Sequence, residues 1–97
     1  MPTYITLINW TDQGVKNYKD TVDRYEAAQK AMGQGGASFK DIYWTVGPYD
    51  LIGILEAPDD ETATAALLSV AGQGNIRTTT LRAFNAGEMR SVIEKAT

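Results

Sequence analysis

Thr45-Val46-Gly47-Pro48-Tyr49-Asp50-Leu51-Ile52-Gly53-Ile54 is the stretch from which the architecture can be read. Two apolar runs meet there across a Gly-Pro turn, with proline suited to the first central position and a carboxylate at the mouth of the second run. Upstream, Ala37 to Val46 reads as a strand in which Phe39, Tyr43 and Thr45 alternate against Ile42, Trp44 and Val46. Lys40 and Asp41 near its start have the character of edge-strand charges. Downstream, Leu51 to Ala57 is apolar on both faces, Leu51 and Leu55 opposing Ile52 and Ile54. A strand of that kind belongs inside a sheet with both sides covered.

The same signal recurs at the amino terminus. Thr3 to Trp10 carries Ile5 and Leu7 on one face and Tyr4, Ile8 and Trp10 on the other. Thr11-Asp12 then supplies a capping hydroxyl and an acid for a helix start. The spacing of Val15, Tyr18, Val22, Tyr25 and Met32 predicts one amphipathic helix from there to Gly33. Gly33-Gln34-Gly35-Gly36 ends it. That glycine cluster is no phosphate loop, because no Lys-Ser/Thr and no helix follow. Pro58-Asp59-Asp60-Glu61 opens a second helix with a stripe of Ala63, Ala66, Leu67 and Val70, closed at Gly72-Gln73-Gly74. Ile76 to Phe84 is a last strand, polar enough in Arg77 to Arg82 to be an edge. Asn85 and Glu88 then form a variant capping box opening a short helix through Met89, Val92 and Ile93.

The order β-α-β-β-α-β predicts an α+β, ferredoxin-like domain: a four-stranded antiparallel sheet with both crossover helices on one face and a short C-terminal helix. In that topology the first and third strands are central and the second and fourth are edges. Residues 1–97 form a single domain. Two helices cover only one sheet face, yet both central strands are apolar on two. Each large side chain left uncovered forgoes about 1.5–3 kcal/mol of burial. A second copy packed sheet to sheet removes the conflict, so a homodimer or higher symmetric oligomer is expected.

With these residues in view, the chain resembles the GYD domain family. The resemblance runs through Met1-Pro2-Thr3-Tyr4-Ile5, Asn9-Trp10-Thr11-Asp12-Gln13-Gly14, the signature Gly47-Pro48-Tyr49-Asp50, Glu56-Ala57-Pro58-Asp59-Asp60 and Gly74 to Phe84. It implies a ferredoxin-like fold of the dimeric α/β-barrel type and brings no established reaction. The turn and the strand after it are also similar, more faintly, to the effector-binding domain of leucine-responsive regulators. Here the sequence opens directly on the first strand, so an assembly and ligand module without a DNA reader is expected.

Composition narrows the chemistry. With no cysteine and no histidine, the 97 residues offer no thiolate, no disulfide and neither the commonest metal ligand nor the commonest general base. A net charge of −3 with scattered Lys and Arg argues against a nucleic-acid partner. No segment approaches the ~20 apolar residues of a membrane span, and no signal pattern opens the chain, so a cytoplasmic protein without a membrane partner is expected.

Four groups of side chains are candidates for a site. Asp50 and Tyr49 sit at the turn, where the carboxylate either binds an amine or accepts hydrogen bonds from the turn's own backbone. Asn9, Trp10, Tyr43 and Trp44 could line an apolar pocket between sheet and helices. Thr78, Thr79, Thr80 and Arg82 offer hydroxyls and a guanidinium suited to a carboxylate. Glu56, Asp59, Asp60 and Glu61 lack calcium-loop spacing, and acids are expected at a helix start. Lys16, early on an exposed helix, reads as solvated. No catalytic residue, metal or cofactor is assigned. The ligand-binding candidates are Asn9, Trp10, Tyr43, Trp44, Tyr49, Asp50, Thr78, Thr80 and Arg82. The function expected is a small-metabolite-binding or assembly module. The alternatives are a cofactor-independent oxygenase or isomerase, and a structural ring or shell subunit.

Overall fold

Four strands, β1 (Thr3–Trp10), β2 (Ser38–Trp44), β3 (Leu51–Glu56) and β4 (Ile76–Ala83), form one sheet in the order β2-β3-β1-β4 in the computed structural model, which describes all 97 residues. Every pairing is antiparallel. The two strands with apolar side chains on both faces are the central ones, and the charged and threonine-rich strands are the edges. This is the ferredoxin-like arrangement the element order predicts.

Register divides the side chains between two faces. Ile5 faces Ile54 and Leu81, and Leu7 faces Ile52 and Thr79. These belong to the face without helices. Tyr4, Thr6, Ile8, Leu51 and Leu55 are buried on the helix side, where Tyr4, Met32, Ala37, Phe39, Leu55, Ala57, Ala63 and Leu67 make one core. Gly53 lets β3 pass beneath that core. A Cβ there would meet the Phe39 ring at 2.6 Å and Thr6 Oγ1 at 2.7 Å.

Two expectations about side-chain direction are corrected. The first helix is not continuous: α1 (Asp12–Lys16) ends at Asn17, a 3-10 turn spans Tyr18–Asp20, and α2 (Thr21–Gly33) follows. The break shifts the helical phase, so Val15, Tyr18 and Val22 are exposed. The inward stripe of α2 is Thr21, Arg24, Tyr25, Ala28, Gln29 and Met32, all buried or half-buried. The second correction concerns β2. A bulge between Phe39 and Asp41 inserts one residue, so Phe39 faces the helices while Tyr43 lies opposite Ile52 on the open face.

Helix α3 (Asp60–Ala71) packs on the sheet through Ala63 and Leu67, and α4 (Ala86–Ala96) closes the chain. The capping box of α4 forms as expected: Glu88 N donates to Asn85 Oδ1 at 2.8 Å and Asn85 N donates to Glu88 Oε1 at 2.9 Å. The helix nonetheless buries none of its residues. Met89, Val92 and Ile93 remain at the surface, as does Phe84 just before the helix.

Candidate functional site

Trp10 is the last residue of β1, and its indole points to the helix side with Tyr4 and Ile8. It forms one wall of a cavity of about 60 Å³ between sheet and helices. Ile8, Leu51, Phe39 and Ile42 supply the floor, Tyr25, Ala28 and Met32 of α2 one side, and Leu67 and Val70 of α3 the other. Polar atoms enter from Thr21, Arg24, Gln73 and Asn75 and from the tips of two aromatics, the Tyr25 hydroxyl and the Trp10 indole N–H. The Trp10 indole Nε1 is buried and has no hydrogen-bond partner, the only buried side-chain nitrogen or oxygen in that condition.

The mouth is held by a small network. Thr11 N donates to Asn75 O at 3.1 Å, and Thr11 Oγ1 donates to Gly74 O at 2.5 Å. Helix α1 then runs so close to this loop that a Cβ on Gly14 would lie 2.0 Å from Asn75 O. Arg24 reaches back from α2, donating to Asn17 O at 2.6 Å and to Gly14 O at 3.2 Å. These two bonds occupy two of the five guanidinium N–H groups. Thr21 Oγ1 accepts from Trp44 Nε1 at 3.0 Å, and Trp44 stands edge-on to Tyr25 with centroids 6.0 Å apart.

The predicted aromatic and amide set is therefore divided by the sheet. Trp10 lines the cavity and Trp44 braces its rim, whereas Asn9 and Tyr43 lie on the open face. Thr21, Arg24, Tyr25, Gln73 and Asn75 were not among the expected site residues. The α2 members become visible in the sequence once the helical phase is restarted after Asn17.

Asp50 is occupied elsewhere. Its Oδ2 accepts the Trp10 backbone N–H at 2.9 Å, while Asp50 N donates to Ile8 O at 2.9 Å and Asp50 O accepts from Thr45 N at 2.8 Å. The carboxylate ties the hairpin to the end of β1 instead of accepting from its own turn. Thr45 Oγ1 donates to Tyr49 O at 2.6 Å, and Gly47 takes a φ of +134° open to glycine, completing the turn. Tyr49 is half-buried beside it.

Thr78, Thr80 and Arg82 share the helix-side face of β4 and line a separate groove with Tyr4, Asp60, Thr64 and Leu68 of α3. Thr79 points to the other face, opposite Leu7. The Tyr4 hydroxyl donates to Asp60 Oδ1. Burial, then the Asp60 hydrogen bond and charge, push the Tyr4 phenol above its usual range. The Arg82 guanidinium sits 5.7 Å from the Tyr4 ring centroid and 4.6 Å from that of Phe84. The remaining acids are dispersed. Asp59 caps α3 by accepting from Thr62 N at 2.8 Å, and hydrogen bonding from Thr62 holds its carboxyl below the ordinary value. Glu56 lies 3.7 Å from the Lys40 ammonium. No group of three or more such side chains is placed to hold a metal ion.

The family model of the GYD domain matches residues 4–93. The chain belongs to the GYD domain family. One relative of this GYD domain is the glutamine synthetase and cystathionine beta-lyase binding protein of Thermus thermophilus. The two are 32% identical over 90 residues, covering 92% of this chain and 95% of the relative. A structural comparison pairs the chain with the crystal structure of TTHA0845, also from Thermus thermophilus, at 28% identity and a TM-score of 0.48, covering 89% and 96% of the two chains. No helix of this GYD domain is long and apolar enough to cross a membrane.

Proposed function

We propose that this GYD domain is a cytoplasmic, homodimeric binding protein that attaches to other proteins, with glutamine synthetase and cystathionine β-lyase as the first partners to test. The observation that carries the reading is the near full-length relationship, at 32% identity, to a protein named for binding those two enzymes. The surface chemistry supports it. Ile5, Leu7, Ile52 and Ile54 form two adjacent cross-strand pairs that no helix covers. Tyr43, 60% exposed, and Leu81, 47% exposed, extend the same face on either side. A continuous apolar sheet face of this kind suits burial against a second copy. That leaves the Phe84, Met89, Val92 and Ile93 surface for other proteins.

An oxygenase or isomerase has less to rest on. The only ionisable side chains around the cavity are Arg24 and Tyr25, so no carboxylate stands ready to take a proton there. Asp50, the carboxylate nearest in sequence to the signature turn, spends its Oδ2 on Trp10 N.

The experiment is biolayer interferometry with purified glutamine synthetase and cystathionine β-lyase from the same host, alongside light scattering of the GYD domain alone. Saturable binding to either enzyme by a dimer is the expected result. A monomer at micromolar concentration overturns the dimer, and failure to bind both enzymes overturns the partner assignment.

A further inference from the structure

The cavity beside Trp10 shares no lining residue with the surfaces assigned above to partners. We infer that it is a binding site for a small monocarboxylate with a branched or compact apolar body. The inference goes beyond the protein-binding reading and does not depend on it.

Three observations converge. The first is room: the cavity measures about 60 Å³, whereas one water needs about 10–15 Å³ on the same measure. The second is the orphaned donor. A buried N–H without a partner is costly, and such groups in native proteins are rare enough to call for an acceptor. Trp10 Nε1 is this chain's single example and stands in the cavity wall. The third is the sign of the polar groups. Trp10 offers a donor and nothing else. Arg24 keeps N–H groups beyond those given to Asn17 O and Gly14 O, and its charge is matched by no carboxylate in the lining. Gln13 Nε2 donates to Asn75 Oδ1 at 2.9 Å, which engages one of that oxygen's two lone pairs.

A water molecule satisfies the indole poorly, because ordered waters want two to four polar partners and most of the walls are aliphatic or aromatic. A ligand with an apolar body and acceptor oxygens matches the lining better. Its carboxylate can accept from the indole and lie in the field of the guanidinium. The same lining argues against an amino acid. An α-ammonium would enter a site whose one charged group is also positive, with no carboxylate to pair it.

The test uses the intact protein and a matched set of probes: 3-methylbutanoate, valine (the same skeleton with an α-ammonium) and 3-methylbutanamide (the same skeleton without charge). The indole N–H resonances of ¹⁵N-labelled protein report directly on hydrogen bonding at Trp10, whose signal is assigned against Trp44 as the one resonance that Trp10→Phe removes. A saturable downfield shift of the Trp10 resonance with 3-methylbutanoate is expected. Valine and the amide should bind at least about tenfold more weakly, as loss of a charge-assisted hydrogen bond requires. Trp10→Phe, checked for folding by its amide spectrum, should reduce 3-methylbutanoate affinity by a similar factor. No saturable shift up to about 10 mM, a range in which binding would already be weak, overturns the site. Equal binding of valine, or of the amide, overturns the carboxylate assignment. Binding to the two enzymes is read separately, so neither reading fails with the other.

Discussion

Asp50 shows what a single carboxylate can do without touching a ligand. The backbone N–H of Trp10 has Asp50 Oδ2 as its acceptor; this bond and Asp50 N to Ile8 O fasten the hairpin to β1, while Thr45 N to Asp50 O closes the hairpin itself. Asp50→Ala leaves that N–H half-buried and unpaired, and should cost about 1.5–3 kcal/mol in a denaturant melt. Asp50→Asn keeps an acceptor and should recover most of the loss, an outcome incompatible with a role that needs the charge. Tyr4 gives a prediction in pH. Its phenol is pushed upward by burial and by Asp60, so the stability it contributes is complete below about pH 10 and is lost as pH rises through the folded-state value. Urea midpoints between about pH 9 and 12 should therefore fall more steeply for the wild type than for Tyr4→Phe. Parallel curves would contradict the coupling. The sequence made Asp50 conspicuous and its role in the hairpin readable, but hid its partner. Nothing local links position 50 to the backbone of position 10; only the β1–β3 register brings them together.

Among the elements, legibility follows the range of the forces involved. The β1, β3, α3 and α4 segments were readable because alternation, capping hydroxyls and acids act within a few residues, and the Asn85–Glu88 box forms as its spacing implies. The bulge in β2 and the break at Asn17 were not, because tertiary contacts decide both. Helix α1 runs past the Gly74–Asn75 loop at Gly14 and ends at Asn17, where Arg24 satisfies the carbonyls of Gly14 and Asn17 released at the break. One residue of slip then moved Tyr43 to the open face, and one lost helical phase concealed Arg24. Gly14→Ala tests the close approach. With a Cβ 2.0 Å from a backbone oxygen, α1 must move away from the Gly74–Asn75 loop. Destabilisation of about 1–3 kcal/mol is expected, with the largest amide shifts at residues 11–17 and 73–76. A thermal midpoint within about 1 °C of the wild type would mean the helix has slack to spare, since 1 kcal/mol moves a domain of this size by roughly 4–8 °C.

For the whole molecule the decisive quantity is the apolar area that one helical layer leaves over. The strand order puts Ile5, Leu7, Ile52 and Ile54 at the centre of the open face, bordered by Tyr43 and Leu81. Ile52→Glu separates the two states in which that face can exist. In a lone subunit a glutamate on the open face of a strand retains water, and the substitution costs no more than about 1 kcal/mol of strand preference. In a sheet-to-sheet dimer the same carboxylate, flanked by Leu7 on one strand and Tyr43 on the other, is stripped of water with no cation among its cross-strand neighbours. Several kcal/mol of desolvation then raise the dissociation constant by at least about a hundredfold, and scattering at micromolar concentration should register a folded monomer. Acid provides the internal check. Protonating the glutamate removes the charge that opposes burial, so the variant should regain its dimer as pH falls below about 5, where an interfacial carboxyl prefers its neutral form. A variant that keeps the wild-type mass at neutral pH would leave this face exposed in solution and transfer the search for its cover to α4.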